Sequence, residues 1–269
     1  AKGVVANIVD WWFIQNFARV YLTFVGLGTL FHFLSALSGR ELVGRGYAQF
    51  AFWLLLLFGS VGGVSPGAPV PAWLPALSTI TAVFYFFGVI AAWVSLTRTV
   101  NGASAANDED SLAYNLMRLT ALVFISVSIL NVLFAFPGPG SVAEFTTYGP
   151  AMELLFKLGF VGLTLIAALY HIFPRLAGVD LSPTMTRVQT MAIVLGLIGA
   201  SLPTALGGLM SGDAVLGSGF YFASLGNLFI FVGSLILFLN FLGAIRVAMK
   251  NCDCFASLFG KDDTKEASA

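Results

Sequence analysis

Residues 10–24 read DWWFIQNFARVYLTF, and the arginine in the middle of them poses the problem. The run continues to Leu37 with mostly apolar and small side chains, the composition of a segment that lives in lipid. Arg19 stands about one third of the way along it, where burying a charge costs several kcal/mol. A residue of that kind is kept only if something near it makes the charge tolerable.

The whole chain has the same character. Of its 269 residues 58% are hydrophobic and only 10% charged, against roughly 25% charged in a soluble domain. Twenty-nine glycines suit helices packed closely in lipid. The formal net charge of zero excludes nucleic acid as a partner. Residues 1–9 lack the basic cluster and apolar core of a cleavable leader. The two cysteines, Cys252 and Cys254, lie close together in a polar tail and cannot build a disulfide framework; a role for them in metal binding or acylation is left open.

Apolar runs of about 20 residues divide the chain into seven transmembrane spans, near 11–37, 47–65, 74–98, 113–136, 149–174, 186–211 and 219–249. The expectation is therefore an all-α integral membrane protein, with a membrane domain over residues 1–250 and a cytoplasmic tail over 251–269. Polar and glycine-bearing stretches, or Pro-Gly stretches such as FPGPGSVAEF (136–145), separate the spans. Asp108, Glu109 and Asp110 precede the fourth span, where acids suit the helix dipole and read as a solvated cap. Arg40, Arg45, Arg98, Arg118, Arg175, Arg187, Arg246, Lys250, Lys261 and Lys265 fall on one side and Lys2 alone on the other. This places the N-terminus outside and the C-terminus in the cytoplasm.

Three ionisable residues then lie inside the membrane: Arg19 on the first span, and Glu153 and Lys157 on the fifth. All fall in the outer third, and Glu153 and Lys157 share a helix face at i, i+4 spacing. One local charge cluster is the economical arrangement, serving either to hold two helices together or as a hydrated ion or proton site. The only histidines, His32 and His171, sit near the opposite ends of those same spans. They align in LFHFLSALSGRE (30–41) and LYHIFPRLAGVD (169–180), an internal echo 139 residues apart. As a pair they are candidate ligands for a haem b, or else interfacial histidines bonded to water or backbone. Gly26, Gly28, Gly196 and Gly199 suit close helix packing. Asn227, Ser234 and Asn240 make a thin polar stripe on the last span, read as interhelical hydrogen bonding before an ion conduit.

Trp11-Trp12 with Asn16, the Gly39-Arg40 turn, Phe52-Trp53, the Gly62-Gly63 bend, Pro71-Ala72-Trp73 and LYHIFPRL (169–176) together resemble the catalytic subunit I of cbb3-type cytochrome c oxidases, in the haem–copper oxidase superfamily. The likeness covers most of residues 10–245 and implies the last seven of that subunit's twelve helices, hence a truncated relative. It also implies where metal ligands belong. The copper-ligand histidine falls on Gln15, its adjacent histidine pair near Ser65 and Pro66, and the haem-ligand histidines on Met152 and Leu154. Arg19 stands where the family keeps a glycine, and His32 and His171 align with family tyrosines. With no ligand position holding imidazole, the resemblance implies no metal and no catalytic residue. It leaves a cofactor-free accessory subunit of a respiratory or electron-transfer complex, with other membrane subunits, c-type cytochromes and bound lipids as partners. The alternatives are a haem b- or quinone-binding electron-transfer subunit, and a proton or ion conduit.

Overall fold

The computed structural model describes residues 3–64, 70–101, 103, 105–143, 146–210 and 213–251, with Val4, Asn7, Trp11, Glu109, 213–219 and Asn251 described for their backbone alone. Among the described residues every regular element is a helix. In chain order, α1 is continuous through Val4–Asn16, Phe17–Leu22 and Thr23–Ser38; α2 is Arg45–Val61, α3 Trp73–Val100, α4 Ser111–Leu133 and α5 the short Pro137–Ala143. Then α6 runs through Tyr148–Leu154, Leu155–Gly162 and Leu163–Ala177, α7 is Pro183–Leu209 and α8 Asp213–Asn251.

Six of these helices are long and apolar enough to cross a membrane: α1, α3, α4, α6, α7 and α8. The expected second span, 47–65, is the 17-residue helix α2. At 1.5 Å per residue it is about 26 Å long, short of the roughly 30 Å hydrocarbon layer, so length alone does not make it a seventh crossing. Beyond the Gly62-Gly63 bend, Ser65 and Pro66 lie outside the described residues. So does the expected tail beyond Asn251, with Cys252 and Cys254.

The helices meet around a core of fully buried side chains, among them Leu30, Leu34, Leu37, Val89, Met117, Phe124, Phe160 and Leu163. Its centre is a close approach of α1 to α6. A Cβ on Gly26 would lie 2.5 Å from the tip of the Phe160 ring, so only glycine lets that ring in. Phe160 in turn packs on Phe124 at 4.5 Å between centroids. Of the glycines read as packing residues, Gly26 and Gly196 meet a neighbour closely and Gly199 lies at ordinary contact distance. Gly28 has open space around it.

The internal echo is visible in the backbone. Gly39 ends α1 and Gly178 ends α6, both in the left-handed conformation, at φ 63° and 62°, where glycine carries no Cβ penalty. Each of these helices also contains a stretch wound as π-helix, Phe17–Leu22 in α1 and Leu155–Gly162 in α6. Shifted by the 139-residue echo, the first stretch falls inside the second.

The last helix leans on α7. Gly196 and Gly226 let the two backbones touch: a Cβ on Gly196 would sit 2.7 Å from the Gly226 carbonyl oxygen, and one on Gly226 would strike the backbone of Ala200. Lower on the same seam, Gly233 receives Ile193. Asn240, expected to bond between helices, accepts from the Ser182 amide at 3.2 Å and donates to Thr186 Oγ1 at 3.0 Å. Gly226→Ala is expected to push α8 off α7 and cost roughly 1–3 kcal/mol, read as a lower melting midpoint in neutral detergent. Gly243→Ala on the same helix, where a Cβ meets nothing, is expected to keep the midpoint or raise it slightly, since alanine is the better helix former.

Candidate functional site

The π-wound turns of α1 and α6 face a common cavity of about 310 Å³. Gln15 and Arg19 enter it from α1, Met152, Glu153 and Lys157 from α6, and Tyr85, Asn131 and Tyr148 complete much of its wall. A π turn opens the usual hydrogen-bond spacing by one residue and re-aims the side chains that follow it, which is why such turns gather at working sites. Here one carries Arg19 and the other Lys157.

The structure thus brings Arg19, Glu153 and Lys157 to one cavity, as the sequence leads one to expect, but joins only two of them. Lys157 Nζ donates to Glu153 Oε2 at 2.6 Å, with both side chains at least half exposed. Arg19 is not part of that pair. Its guanidinium carbon lies 5.7 Å from the centroid of Tyr85, and its Nη1 is buried with no hydrogen-bond partner among the described residues. Tyr85 also holds the local backbone, donating to the Arg19 carbonyl at 3.4 Å and sharing a 3.1 Å hydrogen bond with Thr23.

The Gly62-Gly63 bend explains how these long side chains fit. A Cβ at Gly62 would lie 3.0 Å from Arg19 Nη1 and 2.7 Å from Thr81 Oγ1. One at Gly63, whose φ is +105°, would lie 2.7 Å from Gln15 Cγ. The bend is fixed by Ser78, whose hydroxyl accepts from the Gly63 amide at 2.8 Å. Above it, Asn16 Nδ2 and Trp12 Nε1 both donate to the Ser60 carbonyl, at 3.2 and 3.0 Å. The side chains singled out at 12–19 therefore secure α1 to the end of α2.

Among the positions where the resemblance places metal ligands, Gln15 and Met152 line the cavity and Leu154 packs against the apolar core. Among the described residues no group of three or more His, Cys, Asp or Glu converges anywhere.

The histidines lie roughly 20 Å farther along the same helices, at 1.5 Å per residue. His32 is exposed, and its ring and that of His171 both lie edgewise to Phe33. His171 has a partner the sequence reading missed. Asp110, expected as part of a solvated cap, is buried at 6% exposure and makes no capping bond. Its Oδ1 meets His171 Nδ1 at 2.8 Å and its Oδ2 accepts from Arg175 Nη2 at 2.8 Å. His171 and Arg175 are spaced i, i+4, which puts both on one face of α6; that spacing, with an acid at the start of another helix, was the available signal. Burial pushes the Asp110 carboxyl up, but hydrogen bonds from Arg175 and His171 outweigh it and hold the group below the ordinary carboxylate range.

A family model described as Cytochrome C and Quinol oxidase polypeptide I matches residues 1–223. No curated protein matches the chain.

The Asp110 latch yields a pH prediction. A carboxyl whose pKa is depressed by folding contributes stability above its unfolded pKa of about 3.9 and loses it as pH falls through the folded value below that. Asp110→Asn is therefore expected to lower stability by about 1–3 kcal/mol near neutrality. The gap in melting midpoint between wild type and Asp110→Asn should stay constant down to about pH 5 and narrow below about pH 4.

Proposed function

This chain belongs to the cytochrome c and quinol oxidase polypeptide I family, and from that premise we propose that it is a non-catalytic accessory subunit of a larger respiratory membrane complex. The finer likeness is to the cbb3-type catalytic subunit. The reading includes seven membrane passes, with α2 as the short one, the N-terminus outside and the C-terminus in the cytoplasm of a bacterial inner membrane. Its partners are other membrane subunits, c-type cytochromes among them.

One observation carries this reading. Among the described residues, the cavity that holds Gln15 and Met152, two of the family's metal-ligand positions, is lined by two amides, a thioether, two cations and one carboxylate that is already spoken for. Haem and copper, which the family implies, do not fit that set. Iron and copper in such sites ask for several imidazole nitrogens, whereas Gln15 offers an amide and Met152 a lone thioether, too few donors to hold either metal. A metal cation placed beside Arg19 and Lys157 would also be repelled in a low-dielectric surrounding. Glu153 offers little compensation, since Lys157 holds it at 2.6 Å.

The remaining alternatives gain less from the geometry. Asp110 engages His171 Nδ1, and His32 is exposed, so the two imidazoles do not present themselves as a matched haem clasp. A proton or ion conduit needs a polar line from the cavity toward the histidines. On α6 between the cavity and His171, Thr164 is buried and donates to the Phe160 carbonyl at 2.6 Å.

The purified full chain is expected to give no Soret band and a negative pyridine haemochrome assay. Isolated from native membranes, it should carry further membrane subunits, identified by mass spectrometry. A Soret band that disappears in His171→Ala would overturn the proposal in favour of a haem-binding electron-transfer subunit.

A further inference from the structure

We infer that the cavity at Arg19 is a binding site for the carboxylate of a single-chain amphiphile, with the guanidinium as its anchor. This rests on the reading above that no metal centre fills the cavity.

Charge is the first part of the case. Among the described residues, the side chains facing the cavity that carry charge at neutral pH are Arg19, Lys157 and Glu153, beside the neutral phenols of Tyr85 and Tyr148, and Glu153 and Lys157 cancel one another. Arg19 is left as one uncompensated positive charge. Guanidinium holds its proton even where other basic side chains would give theirs up. A buried charge of this kind is strongly unfavourable unless paired, and Tyr85 offers only a ring face at 5.7 Å. A single negative charge would complete the site.

Geometry supports it. Arg19 Nη1 is buried and has an unused donor, and Gln15 and Asn131 bring amide groups to the same cavity. Guanidinium presents paired N–H donors in a planar fork that matches a carboxylate. Gly62 and Gly63 are the residues that leave room for the Arg19 and Gln15 side chains, so the donors are held by the backbone path.

The walls choose among anions. Besides its polar groups, the cavity is bounded by Ile14, Phe17, Ala82, Val132 and Phe156. Ile14 and Phe17 are also about half exposed on the surface of α1, so apolar wall residues of the cavity reach the outside of the bundle, where a chain could leave it. A volume of about 310 Å³ is at the small end for ligand sites and takes a headgroup with the first part of one chain. A hydrated inorganic anion would leave those apolar walls unused.

The probes are sodium oleate, methyl oleate and sodium acetate, titrated into the purified full chain in neutral detergent. Melting midpoint and native mass spectrometry supply the readouts. Oleate is expected to bind one to one and raise the midpoint. Methyl oleate, with the same chain and no charge, is expected to bind about tenfold weaker or worse, and acetate to have no effect. Arg19→Gln is expected to lose the distinction between oleate and its ester, and Arg19→Lys to keep most of it.

Equal binding of ester and acid by the wild type would overturn the inference, and that comparison needs no variant. Acetate matching oleate would overturn it in favour of a small-anion site. Undiminished oleate binding by Arg19→Gln would move the site elsewhere. The visible spectrum of the same sample separates the two readings: a haem band refutes the cofactor-free reading, whereas the oleate series alone decides the ligand.

Discussion

A guanidinium inside a membrane must be paired, hydrated or given donors' partners by its surroundings, and Arg19 makes that constraint the organising fact of this molecule. Its solution here is not the three-membered ion cluster that composition suggests. The carboxylate within reach along α6 is held by Lys157 one turn away, because an i, i+4 pair on a single helix forms without moving any other element. Arg19 is instead lodged against the Gly62-Gly63 bend and the Tyr85 ring. The bend, the π-wound turn and the Ser78 hydroxyl that fixes Gly63 are all arranged around the cavity this charge borders.

Much of the fold was legible in residue order. Apolar runs and their Pro-Gly punctuation located the helices, because in hydrocarbon only a helix satisfies every backbone group locally. The echo between LFHFLSALSGRE and LYHIFPRLAGVD marked two helices that share a left-handed glycine stop. It could not announce the π-wound turns, since these depend on how a helix is packed, and no residue type specifies them. The second expected span, 47–65, is helical only to Val61, where the Gly62-Gly63 bend takes over.

The site was legible in its membership and less so in its pairing. Gln15, Arg19, Met152, Glu153 and Lys157 do share a cavity; depth and helix face single out the three charged ones, and the family resemblance singles out Gln15 and Met152. Which of the charges would pair depended on side-chain reach across the gap between α1 and α6, and spacing along one helix says nothing about that. Asp110 illustrates the converse. Three acids before a helix read as a dipole-stabilising cap, yet one of them turns inward because His171 and Arg175 offer partners from another helix. Local sequence favours local partners; a long-range pair 61 residues apart is invisible until the helices are placed.

The contacts that hold α1 to α6 lie between these two polar places rather than in either of them. Phe160 sits in the gap that Gly26 leaves, with Phe124 behind it and Leu30 and Leu34 farther along α1. None of these side chains lines the cavity. Helix association in lipid relies on close packing, since the surrounding tails are as apolar as the side chains themselves. A seam packed in that way keeps its energy when the residues beyond it change. That separation lets Gln15, Arg19 and Met152 occupy the cavity without loosening the helices that carry them, so chemistry at this end of the bundle can change while the architecture stays fixed.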